Sequence, residues 1–88
     1  MILASFKGNT EGVRLLLMYG AEINATDNTR RTPLYVASAR GHIEVVRLLL
    51  ERGADVTIAG EGGHRPVTIA SLRGQASVVQ LLQQGTDV

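Results

Sequence analysis

The chain repeats itself every 33 residues. Ala4-Ser5 returns as Ala37-Ser38 and Ala70-Ser71, and behind each pair stands a basic residue with glycine: Lys7-Gly8, Arg40-Gly41, Arg73-Gly74. Pro33 returns as Pro66, and Gly20-Ala21-Glu22-Ile23 as Gly53-Ala54-Asp55-Val56. Residues 1–25 laid on 34–58 agree at 11 of 25 positions without a gap. A fixed period of this length marks a stack in which each unit buries its apolar side only against its neighbours. A stack offers a long surface, which directs attention to a partner before a reaction.

The middle unit, 27–59, is the most complete. The Thr32 hydroxyl can accept from an orphan amide of a starting helix, and Pro33 suits the first helical position. Leu34, Val36 and Ala37 give a short helix its apolar side, small Ala37, Ser38 and Ala39 allow another helix to approach, and Gly41 stops it. A second helix carries a broad apolar stripe of Ile43, Val45, Val46, Leu48, Leu49 and Leu50, with Glu44 at its favourable N-terminal end. Gly53 ends it, and Ala54-Asp55-Val56 leads into an extended turn. Helices of about two to three turns do not persist alone in water. They must stack.

With Thr32-Pro33-Leu34, Gly41-His42-Ile43-Glu44-Val45-Val46, Leu48-Leu49-Leu50 and Gly53-Ala54-Asp55-Val56 at these spacings, the chain resembles the ankyrin repeat family over nearly its whole length. The resemblance implies an all-α repeat solenoid: a helix–turn–helix stack with a short β-hairpin turn in each repeat. It also implies a concave face, made of hairpin tips and first helices, that binds other proteins. The expected division is a partial repeat over 1–26, a full repeat over 27–59 and a third over 60–88. The chain departs from the family pattern in several places. Tyr35, Ile2 and Thr68 stand where the family's Thr-Pro-Leu-His histidine belongs. Gly12 replaces the equivalent of Val45 inside a helix, at about 1 kcal/mol. Arg65 replaces the capping threonine, a loss of similar order. Gly60, Gly62 and Gly63 loosen the third hairpin, and one helical residue is missing between Gly74 and Gly85.

Composition narrows the function classes. Hydrophobic residues at 44% exclude a disordered tail, and aromatics at 3% leave the core to Leu, Val, Ile and Ala. A net charge of +1, three aromatics and no basic run longer than Arg30-Arg31 argue against nucleic acid. No cysteine means no disulfide framework, which fits a reducing compartment. Neither the start, Met1-Ile2-Leu3-Ala4, nor the run over 45–50, broken by Arg47, approaches the ~20 apolar residues of a membrane span. The expected setting is intracellular, in the cytoplasm or the nucleus, away from membranes.

No catalytic, metal or cofactor site emerges. Ser5, Ser38 and Ser71 recur on the small-residue side of the first helix, whereas a nucleophile needs one serine with a base and an oxyanion site. His42 aligns with Asn9 and Gln75 at the turn between helices, so a structural hydrogen bond is expected of it. Glu61 and His64 lack further metal ligands, and the glycines over 60–63 lack a phosphate loop's spacing and lysine. Asn24, with Leu16, Glu22 and Ile23, matches the pattern around a hairpin asparagine hydroxylated in some ankyrin-repeat proteins. The alternative is a turn residue bonding nearby backbone.

The basic row Lys7, Arg40, Arg73, beside the row Phe6, Ala39, Leu72, is the leading functional candidate. Carrying over the family's contact positions adds Tyr19, Asn28, Thr29, Arg31, Arg52, Glu61 and His64. Without Arg52 on the rim, four cations (Lys7, Arg31, Arg40, Arg73) face the single carboxylate of Glu61, which would steer an acidic partner. A cation at a helix C-terminus also complements the helix dipole by ~0.3–1 kcal/mol. The expected function is a non-catalytic protein–protein interaction module, the alternative a regulatory or substrate-positioning segment of a larger enzyme. Neither end carries the polar outer face of a capping repeat. A piece of a longer array is therefore expected, with self-association through its apolar end faces.

Overall fold

Thr32 and Pro33 open the best-formed helix as their chemistry dictates. The Tyr35 amide donates to Thr32 Oγ1 at 3.0 Å, and Pro33 occupies the first turn. The helix ends at Gly41, whose φ of 76° is a left-handed cap, and two residues later the chain turns into the second helix. The helix–turn–helix arrangement recurs along the chain, without a side-chain cap at the start of α1 or α5. The computed structural model describes residues 1–85. It contains six α-helices in three pairs: α1 (Ile2–Lys7) with α2 (Thr10–Met18), α3 (Pro33–Arg40) with α4 (Ile43–Glu51), and α5 (Pro66–Leu72) with α6 (Ala76–Gly85). Helices α1, α3 and α5 lie side by side in one layer, and α2, α4 and α6 in a second.

The core lies between the layers and runs across all three pairs. It holds Val13, Leu34, Ala37, Val45, Val46, Leu48, Leu49, Ala70, Val78 and Leu82, all buried. The fully buried large side chains concentrate in α3 and α4, which have a neighbour on each side. Ser5 and Ser38, completely buried, lie in the small-residue stripe where the first-layer helices meet.

Polar ties recur with the period. His42 Nε2 donates to the Phe6 carbonyl at 2.8 Å, and since a carbonyl can only accept, the proton sits on Nε2. Gln75 Nε2 donates to the Ala39 carbonyl at 3.3 Å, the same reach one repeat later. The structural role expected of His42 is thus its role here. Asn9, at the equivalent place in the first pair, instead caps α2 by accepting from Gly12 N–H at 2.9 Å. A Cβ on Gly12 would lie 2.8 Å from the Asn9 amide, so the missing side chain makes room for this cap.

Two local expectations change. The connecting loops are hydrogen-bonded turns rather than β-hairpins: among the described residues there is no strand, because each loop closes on isolated bonds such as Asp27 N–H to Arg31 O at 3.0 Å and no ladder follows. The residue missing before Gly85 does not shorten α6, which runs ten residues against nine in α2 and α4 by taking Gly85 into the helix. The three cations of the basic row stand at helix C-termini as expected, Lys7 and Arg40 in the last turns of α1 and α3 and Arg73 as the residue that caps α5. The missing cap at Arg65 is as expected, with no side-chain bond at the start of α5. No described helix is long and apolar enough to cross a membrane.

Candidate protein-binding face

The loop before α3 is built around one carboxylate. Asp27 Oδ1 accepts from the Thr29 amide, the Thr29 hydroxyl and the Arg31 amide, each at 2.9 Å, while Arg31 Nε donates to Oδ2 at 2.9 Å. Led by the Arg31 amide, these bonds lower the Asp27 pKa to about 2. The network holds Arg30 in a left-handed conformation, φ 66°, that side chains rarely adopt. One repeat later Gly60 replaces the aspartate and Gly63 (φ 79°) occupies Arg30's place without steric cost. The backbone bond survives there, Gly60 N–H to His64 O at 2.7 Å, around a short 3₁₀ turn over Glu61–Gly63.

Tyr35 explains the substitution at Gly60. Its ring is buried, and a Cβ on Gly60 would lie only 2.5 Å from it. Tyr35 therefore occupies the space a side chain at 60 would need.

Between these loops and the first-layer helices lies a cleft of about 450 Å³. Buried Tyr35, Val36 and Ala39 form its floor. Arg31, Arg40 and Arg73 bring cationic groups to it, Phe6 borders it, and Glu61, Gly62 and His64 close the loop side. The Arg40 guanidinium stacks 4.4 Å from the Phe6 ring centroid, a contact that orients it without neutralising it. Arg31 is committed to Asp27, but among the described residues neither Arg40 nor Arg73 pairs with a carboxylate.

Of the expected contact residues, Phe6, Arg31, Arg40, Glu61, His64 and Arg73 meet at this cleft. Asn28 and Thr29 line a neighbouring recess of about 400 Å³ that shares Glu61. Lys7 and Leu72 are exposed but lie outside the cleft lining, so the basic row reaches the cleft through Arg40 and Arg73. Tyr19 and Arg52 are exposed at the ends of α2 and α4, in the other layer, and line neither hollow. The floor residues Tyr35 and Val36 were not among the expected contacts. Tyr35 carried a signal, since it departs from the repeat pattern that the sequence resembles.

The remaining candidates have structural occupations. The Ser5 and Ser38 hydroxyls are buried without a hydrogen-bond partner, so neither has a base to activate it. The Asn24 carbonyl oxygen accepts from the Asp55 amide at 2.9 Å, tying its loop to the one 31 residues on rather than to nearby backbone. The Asp55 carboxylate accepts from the Thr57 hydroxyl at 2.6 Å and from its amide at 2.9 Å, which lowers its pKa.

Comparison with known proteins agrees with this architecture. No curated protein matches the chain. A family model describing three copies of the ankyrin repeat matches residues 1–88, and the chain belongs to the ankyrin repeat family.

Proposed function

We propose that the chain is a non-catalytic interaction module whose concave cleft binds an acidic segment of a partner protein. Ankyrin repeats are protein–protein interaction modules, which sets the class of function. The observation that carries the finer reading is the pair of unpaired cations, Arg40 and Arg73, above an apolar floor of Tyr35, Val36 and Ala39. Cations held over low-dielectric surface attract an anionic partner over distance and reject a basic one. The floor gives an apolar neighbour of the acidic residue a place to lose water.

Selection of binders from a library of random displayed peptides tests this. Recovered sequences should be rich in Asp and Glu beside an apolar residue, and Arg40→Glu together with Arg73→Glu should abolish their binding while the circular dichroism stays unchanged. Binders without acidic excess, or binders indifferent to both charge reversals in a folded protein, would overturn the reading.

A further inference from the structure

The cleft holds more hydrogen-bond donors than one carboxylate can use. The chain itself shows what a carboxylate takes: Asp27 occupies a single guanidinium, that of Arg31, and the Thr29 hydroxyl and two backbone amides complete its shell. Arg40 and Arg73 line the same cleft, and neither meets a carboxylate among the described residues. Tyr35 adds a third donor. Its ring packs over Gly60, and its hydroxyl, which still touches solvent, has no hydrogen-bond partner among the described residues.

This side of the stack is open where repeats continue. Arg40 has a helix pair on either side and is exposed all the same. Its guanidinium is oriented by stacking on Phe6, one repeat back. Arg73 lines the cleft together with Ala39, the equivalent of Phe6 one repeat on, so both cations serve the space between pairs that the chain contains. Glu61 stands on the loop side and repels an anion from that wall, which directs it toward the two arginines.

We propose that the cleft recognises a phosphorylated side chain of the partner protein, an inference that rests on the reading of the cleft as an acid-binding site. A phosphate monoester carries about −1.5 to −2 charges near neutral pH and offers three acceptor oxygens. Two guanidiniums and one hydroxyl match it. A single carboxylate leaves one guanidinium without a counter-charge above the apolar floor of Val36 and Ala39. Carboxylates on neighbouring residues of an extended segment point to opposite sides, so they do not enter one cleft together. Arginine rather than lysine at both positions suits the same ligand, because the planar fork sets two parallel N–H groups on two phosphate oxygens. Phosphorylation of the partner then switches binding on.

Pools of short synthetic peptides provide the test, with the same random flanks and a centre of phosphoserine, of glutamate, of two glutamates one residue apart, or of serine. The phosphoserine pool should bind about tenfold or more tightly than either glutamate pool, the worth of one further charge-assisted hydrogen bond. Arg40→Lys and Arg73→Lys keep the charge and lose the fork, so each should bring the phosphoserine and glutamate pools closer together. Tyr35→Phe removes only the unbonded hydroxyl and should also weaken phosphoserine binding. Melting curves verify that the variants fold. Phosphoserine bound no better than glutamate, or an advantage untouched by all three substitutions in folded proteins, would overturn the inference and leave an acid-binding cleft. Phosphoserine and glutamate pools bound no better than serine would instead overturn the acid-binding reading beneath it.

Discussion

Replacing Ser38 by alanine should make the protein more stable. The Ser38 side chain is fully buried, and its hydroxyl has no hydrogen-bond partner. A buried polar group without a partner costs about 1–3 kcal/mol. Removing one oxygen leaves a space too small for a large cavity term, and alanine gains up to ~0.5 kcal/mol over serine in a helix interior. The expected net gain is about 1–2 kcal/mol. For 88 residues, an unfolding entropy of about 2.1 cal/mol/K per residue gives a rise in Tm of about 5–10 °C. Thermal and urea unfolding at low micromolar concentration, where self-association does not contribute, measure it. Ser71→Ala is the internal control: at this exposed equivalent only the helix-propensity gain of at most ~0.5 kcal/mol should appear. A Ser38→Ala protein with lower Tm would mean that the hydroxyl is bonded in the folded state, and the reasoning would fail.

Three further outcomes are expected. Asp27 has its pKa held at about 2, below the ordinary 3.8, so its network stabilises the fold fully above about pH 5 and is lost as the pH falls through the folded value; in Asp27→Asn, melting temperatures should therefore fall less between pH 5 and pH 2 than in the wild type, and parallel curves would contradict the network. Gly60→Ala should cost about 1–3 kcal/mol by forcing a methyl against the Tyr35 ring, and in a Tyr35→Ala background the same change should cost almost nothing; additive losses in that double-mutant cycle would show that the two sites do not touch. Hydrogen exchange should be slowest in α3 and α4, which alone have neighbours on both sides, and equal protection across 75–84 would place the stability elsewhere.

The stack, its helix pairs and its core were legible because each rests on local chemistry, complete in the middle repeat and echoed in the other two. Thr32 caps, Gly41 stops, and the stripe from Val45 to Leu49 has one apolar side to bury. The period also gave His42 its structural role before its carbonyl partner could be known. The candidate binding face was only half legible. A register places Arg40 and Arg73 on the first-layer side, but it cannot report that Arg31 is tethered to Asp27, that Lys7 lies outside the cleft, or that Tyr35 forms its floor. Those facts depend on side-chain directions in loops of unequal sequence: Asp27 organises one by accepting four hydrogen bonds, while glycines shape the next. Asn24 shows the same limit. Its partner, the Asp55 amide, lies a full repeat away, beyond any argument from neighbouring residues.

Capture of acidic protein segments by the cleft at Arg40 and Arg73 would show in an association rate. Stopped-flow binding of a selected acidic peptide would be followed at low salt and at physiological ionic strength, for the wild type and for Arg40→Glu, beside the melting temperature of each. Charges farther apart than about 8–10 Å are screened at physiological ionic strength, so steering should make wild-type association clearly faster at low salt. Arg40→Glu should associate more slowly, its salt dependence should shrink, and its Tm should stay within a few degrees of the wild type. An association rate and salt slope unchanged by Arg40→Glu in a folded protein would contradict the account and leave Arg40 as a complement to the dipole of α3 alone.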